Sequence, residues 1–217
     1  MISECARPVS VGSINRRLFL LPMNCRPHVL TFSVITLAFV CAYAVTAVVV
    51  TPLQNALVGE TDIWRSVLYL PHGVCVLATM LFGWRAILPL TLGSAGSLYV
   101  FSADNLLNIG ALPSGLAAIA TAACAFVAFE VFRFFGQNHY ANPAANVQWR
   151  SVFAVGILAA LIGAFAKSHL LCAPGSCVSQ MHAYGLSVSG SICGLFAVMY
   201  VLMHLFRRAR LSGREWA

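Results

Sequence analysis

Histidines and cysteines are concentrated in one segment of this 217-residue chain, between residues 167 and 182. The segment carries His169, Cys172, Cys177 and His182. Thiolates and imidazoles are ligands of zinc and copper, and His72 in an earlier segment could supply a further imidazole. Cys172 and Cys177 also flank a Pro-Gly turn, which suits a disulfide in an oxidising compartment. The pattern therefore leaves three states open, which are a disulfide, a metal site and free thiols.

A second group of residues could hold a ligand. The sequence Pro71-His72-Gly73 interrupts an apolar stretch, where proline removes a backbone donor and the freed carbonyl groups need another partner. His72 is ionisable, and Lys167 and His169 lie near the outer end of a later apolar stretch. Together these residues predict an outward-facing ligand pocket. The alternative is a packing kink in which His72 bonds to a neighbouring carbonyl group.

Two glycines mark a face where another backbone could approach closely. Gly190 and Gly194 have the small-x-x-x-small spacing of packed membrane helices. We expect them to pack against a helix, either within this chain or in another subunit.

Sequence motifs for catalysis are absent. The chain has no phosphate-binding loop, nucleophile elbow, zinc-protease helix or dinucleotide fingerprint. It contains only six acidic residues, which argues against carboxylate chemistry. We therefore expect no enzymatic activity and no cofactor.

The composition indicates which elements must position these residues. Hydrophobic residues make up 60% of the chain and charged residues 9%, too few to cover a water-soluble domain. The sequence predicts an all-α polytopic membrane protein with a bundle of six transmembrane helices in residues 29–206. The predicted spans are 29–50, 65–82, 86–101, 109–135, 150–166 and 183–206. Basic cytoplasmic tails, 1–28 and 207–217, flank this domain.

The orientation follows from the positive-inside rule. With both termini in the cytoplasm, eleven of the 13 Lys and Arg residues lie inside, and only Arg65 and Lys167 lie outside. Residues 15–20 are similar to a twin-arginine export signal, but Pro22, Arg26 and Pro27 soon interrupt the apolar run that follows. We expect a multi-pass protein of the bacterial inner (plasma) membrane. Its expected partner is the lipid bilayer and not nucleic acid.

One region resembles a known family, the bacterial membrane-associated sensor 1 domain. The resemblance covers residues 70–93 and lies in Leu70-Pro71-x-Gly73, Gly83-Trp84-Arg85, Leu88-Pro89 and Gly93. Members of that family usually have more spans and pass signals to a cytoplasmic kinase or cyclase domain. The resemblance implies an integral membrane sensing or ligand-binding module without its own catalytic output domain.

Two other functions stay open at this point. The His/Cys segment and Lys167 would suit a transport component for a small solute or a metal. The Gly190 face would suit an assembly or scaffold subunit that binds another membrane protein. In the sensing function, the partner would be a separate signalling subunit.

Overall fold

The fold comes from a computed structural model, which describes residues 25–58, 66–101, 110–137, 139–141, 149–171 and 177–212. Regular structure in these ranges is entirely helical. The helices are α1 (Cys25–Val45), α2 (Thr51–Val58), α3 (Leu70–Phe82), α4 (Ile87–Phe101), α5 (Ala111–Phe134), α6 (Trp149–Leu171) and α7 (Cys177–Ser212). Five stretches in the described ranges are long and apolar enough to cross a membrane. They are Val29–Leu57, Leu70–Phe101, Leu112–Phe134, Trp149–Leu170 and Tyr184–Leu205.

The first membrane helix is longer than the predicted span 29–50. A π-helical turn, Thr46–Val50, joins α1 directly to α2, so the helix continues to Val58. The Thr51 backbone N–H and its hydroxyl both donate to the carbonyl of Thr46, and Pro52 in the next position has no N–H to donate. Hydropathy alone ended this span early, because residues 51–58 are less apolar.

The second membrane stretch, Leu70–Phe101, reverses direction at Gly83. This glycine has φ +58°, a conformation that few other residues adopt, and a 3₁₀ turn (Gly83–Ala86) then starts α4. The Tyr43 ring lies 6.4 Å from the Tyr69 ring and 5.9 Å from the Phe101 ring, so both ends of the stretch lie at one end of the bundle. The 13 residues of α3 span only about 20 Å, less than the ~30 Å hydrocarbon core. Six separate spans therefore stay a prediction.

Among the last three helices, α5 packs against α6 and α6 packs against α7. The predicted span 109–135 is close to α5, whereas α6 and α7 are both longer than the predicted spans 150–166 and 183–206. Much of the expected outer loop 167–182 is helical, since α6 continues to Leu171 and α7 begins at Cys177. The 36 residues of α7 reach about 54 Å, so this helix extends well beyond a bilayer core.

The C-terminal ends of α3 and α5 lie at the same end of the bundle. The Met80 carbonyl accepts a hydrogen bond from Ala141 N–H (3.0 Å), and the Tyr140 ring stacks on Phe129 at 5.0 Å. The Tyr140 hydroxyl donates to Glu130 Oε1 at 2.8 Å. Burial raises the pKa of Tyr140 and the bond to Glu130 raises it further, so the hydroxyl stays protonated as a donor. We call this the Tyr140 end, and the opposite one the Tyr69 end.

Both chain ends of the described part lie at the Tyr140 end. Phe32 of α1 shares a groove with Phe82, just after Met80, and Met203 of α7 shares another with Trp149 at the start of α6. This arrangement agrees with two termini on one side of the membrane. Which side that is stays a prediction from the positive-inside rule.

Candidate ligand-binding site

Residues 66–69, just before α3, are not helical and bend at Val67, although the sequence predicts a helix from residue 65. Tyr69 N–H donates to the Gly190 carbonyl (2.9 Å), and Val67 N–H donates to Gln54 Oε1 (2.7 Å). These bonds satisfy backbone donors that water could not reach inside a bilayer. Pro71 lies in the first turn of α3, where its missing N–H removes no helical hydrogen bond. The predicted interruption of a helix by proline is therefore wrong: this proline starts the helix.

Gly190 and Gly194 hold this non-helical segment against α7. A Cβ atom on Gly190 would overlap the Ser66 carbonyl oxygen, and one on Gly194 would overlap the Tyr69 carbonyl oxygen. The partner of this glycine face is therefore a non-helical segment of the same chain, residues 66–69, together with the start of α3. The scaffold function stays a prediction.

His72 is buried between α3 and α6. Its side chain is 5% exposed, and Nε2 lies 3.1 Å from the Gly156 carbonyl oxygen. Because a carbonyl oxygen only accepts, this contact assigns the ring hydrogen to Nε2 and leaves Nδ1 as an acceptor. His72 thus makes the backbone contact expected of a packing residue. Its other ring nitrogen, Nδ1, has the capacity to accept a hydrogen bond.

Lys167 is a buried cation at the Tyr69 end. Its side chain is 8% exposed, and Nζ lies 4.5 Å from the centre of the Tyr69 ring. This geometry is a cation–π contact. Glu130 is the one acidic residue in the described ranges, and it pairs with Arg133 (3.3 Å) at the opposite end of the bundle. Within those ranges, the Lys167 ammonium therefore has an aromatic face and no carboxylate.

The helical spacing explains why these side chains meet. His72 and Cys75 are three residues apart, which places them on one side of the start of α3, and Tyr69 directly precedes that helix. On α6, Gly163 and Lys167 are four residues apart, and a Cβ atom on Gly163 would lie 3.2 Å from Cys124 Sγ on α5. The thiols of Cys75 and Cys124 are buried near Lys167, and they give the cluster apolar walls.

The structure brings together part of the predicted ligand pocket. His72 and Lys167 share the cluster, but both are buried rather than open to the outside. Gly73 is used for packing, since a Cβ atom there would lie 2.8 Å from Val198 Cβ. His169 is exposed, with its ring 4.4 Å from Phe165, so it lies outside the cluster.

The predicted disulfide and metal site fall mainly outside the described part. Cys172 is not described, and neither are the side chains of Cys177 and His182. Among the residues that are described, no three His, Cys, Asp or Glu side chains form a group that could hold a metal ion. The disulfide and the metal site stay predictions.

The family-like positions beyond α3 have structural roles. Gly83 makes the reversal, and the exposed Arg85 lies 5.9 Å from the Trp84 ring. The Pro89 carbonyl accepts a hydrogen bond from Thr36 Oγ1 (3.2 Å), and a Cβ on Gly93 would lie 3.2 Å from Phe39 Cβ. Pro89 and Gly93 therefore hold α4 against α1.

Sequence reasoning did not find Tyr69. The available signal was Pro71, which favours a helix start directly after Tyr69. Hydropathy does not single out Tyr69 within the predicted span 65–82.

The fold and the cluster define a multi-pass α-helical membrane protein with a buried cationic site. Comparisons with protein-family models, with curated proteins and with solved structures found no match to this chain.

Proposed function

We propose that this protein is a non-enzymatic ligand-binding module of the sensor type, embedded in the bacterial inner membrane. Its site is the cluster of Lys167, Tyr69 and His72, and its ligand carries negative charge. The observation that carries the proposal is the burial of Lys167 with no carboxylate in the described residues. Ionisable groups inside membrane domains are rare because they are costly, and they usually mark a functional site.

The chemistry of the cluster favours an anion. The Lys167 ammonium supplies the charge, and a carboxylate or phosphate oxygen would replace the solvent that burial removes. The Tyr69 ring keeps the ammonium in place from one side. His72 donates to the Gly156 carbonyl through Nε2, so Nδ1 can take part in binding only as an acceptor of a ligand hydrogen.

The position of α3 supports a sensing role. Ligand entry into the buried cluster requires the start of α3 to move relative to α6. The far end of α3 is hydrogen-bonded through Met80 to Ala141, at the Tyr140 end of the bundle. A rigid shift of this helix would therefore reach the opposite membrane surface, where a separate signalling subunit could detect it. The resemblance of residues 70–93 to a bacterial sensor domain supports the same function.

The test is ligand-dependent stabilisation of the purified protein. We expect a panel of small carboxylates and phosphates to include a compound that raises the unfolding temperature saturably. A ligand present at 100 times its Kd stabilises the folded state by about 2.7 kcal/mol. Lys167→Met should abolish this response, whereas Arg208→Gln, an exposed cation on α7, should retain it. An equal response of the Lys167→Met protein would contradict the proposed site.

A second function, transport of a small anionic solute, is favoured by a different observation. The non-helical backbone of residues 66–69 precedes α3 and places the Tyr69 ring beside Lys167, and non-helical backbone in a membrane domain forms substrate sites in many transporters. Reconstituted vesicles separate the two functions. Saturable uptake that depends on Lys167 would favour transport, and binding without uptake would favour sensing.

A further inference from the structure

A groove lies between α6 and α7 at the Tyr140 end, far from the Lys167 cluster. Its volume is about 340 Å³, within the range of about 300–1,000 Å³ that is usual for small-molecule sites. Its walls include Trp149, Arg150 and Phe153 on α6, and Phe196, Tyr200 and Met203 on α7. The groove lies at the ends of two membrane-spanning stretches, so its apolar walls face the lipid.

The charge at the mouth of this groove is positive. Arg150 is exposed, and neither it nor Arg207 forms an ion pair within the described residues. Arg207 follows Met203 by four residues, which places it on the groove side of α7 one turn further along. Arg208 points about 100° away from that side. Trp149 and Tyr200, which are 55% and 52% exposed, are the aromatic types that lie at the level of lipid headgroups.

We propose that this groove is a binding site for an anionic phospholipid. One acyl chain lies between α6 and α7, and the headgroup phosphate lies at the end that carries Arg150 and Arg207. Basic pockets between membrane helices bind anionic headgroups in this way. An apolar occupant without acidic groups is less suited to the groove, because it would leave both arginines without an anionic partner in the described structure. The site is independent of the Lys167 cluster and of the function proposed for it.

Fluorescence quenching of Trp149 tests the proposal directly. Replacing Trp64, Trp84 and Trp216 with Phe leaves Trp149 as the one tryptophan in the chain. The full-length protein is reconstituted in bilayers in which either phosphatidylglycerol or phosphatidylcholine has brominated acyl chains, which quench only at contact. We expect brominated phosphatidylglycerol to reach half-maximal quenching at a several-fold lower mole fraction than brominated phosphatidylcholine.

Substitutions assign the preference to the groove. Arg150→Gln and Arg207→Gln should each reduce the preference for phosphatidylglycerol about fivefold, the equivalent of about 1 kcal/mol per basic residue. Arg208→Gln is the matched control, with the same loss of charge on the neighbouring position of the same helix, and should leave the preference unchanged.

Three results would overturn the proposal. Equal quenching by the two lipids would mean that the groove does not distinguish the headgroup. An unchanged preference in both Arg150→Gln and Arg207→Gln would place the anionic site elsewhere. Protection of Trp149 from both lipids, together with cross-linked dimers, would mean that a second copy of the chain covers the groove.

Discussion

Lys167→Met should make the ligand-free protein more stable. Methionine has nearly the length of the lysine stem and fills the same buried space beside the Tyr69 ring, but it carries no charge. In the described structure the ammonium has the Tyr69 ring as its partner and no carboxylate. The substitution removes a charge that the fold itself does not need, so a gain in stability is expected.

The size of the gain follows from two opposing effects. A lysine at the centre of a membrane helix costs about 2.5–3.5 kcal/mol, and the cost falls toward the ends. Lys167 lies four residues before Leu171, the end of α6, so the lower part of that range applies. A desolvated cation–π contact returns about 2 kcal/mol. The difference predicts that Lys167→Met raises the free energy of unfolding by about 0.5–1 kcal/mol, a shift of roughly 1–4 °C for a chain of this size.

The measurement is unfolding of the ligand-free protein in mixed micelles, by denaturing detergent and by heat. Arg208→Met is the control for loss of an exposed cation, and its effect should stay within about 0.5 kcal/mol. A loss of 2 kcal/mol or more in the Lys167→Met protein would refute the reasoning. Such a loss would mean that the ammonium has a strong anionic partner in the folded chain.

Three further substitutions test the architecture around the site. Gly194→Leu should prevent folding, because its side chain would overlap the Tyr69 carbonyl. Gly185→Leu on the same helix has open space and should fold. Equal yields of the two variants in size-exclusion chromatography would contradict this packing. Gly83→Ala should lower the free energy of unfolding by about 1–3 kcal/mol in the same unfolding measurement, since φ +58° with ψ -137° is a conformation that residues with a Cβ atom rarely adopt. Tyr69→Leu should lose about 1–2 kcal/mol more than Tyr69→Phe, which keeps the ring under Lys167; the same loss in both variants would rule out a cation–π contribution.

The helical fold could be predicted from composition, but several helix ends could not. Apolar runs identified α5 almost to the residue, because polar segments flank it on both sides. The start of α3 could not be predicted from hydropathy, which does not distinguish an irregular apolar segment from a helical one. Here Pro71 at the first turn was the better signal. Helix α7 continues through its arginines to Ser212, since charged residues end an apolar stretch without ending a helix.

The candidate site was predicted in part. His72 and Lys167 were identified because ionisable residues stand out in an apolar sequence. Their burial and the contribution of Tyr69 depend on how three helices meet, and spacing along one helix does not contain that information. His169 was grouped with Lys167 because it is close in the sequence, but two residues along a helix turn the side chain about 200° away.

The π-helical turn in the first membrane helix contains one residue more than an α-helical turn would. Buried positions along this helix are Ile35, Phe39, Tyr43 and Thr46, and then Thr51 after a step of five. A regular helix would turn that last residue away from the bundle, whereas the wider turn returns it to the same side. Deleting one residue between 47 and 50 should convert the turn into ordinary α-helix and keep all of these side chains inside.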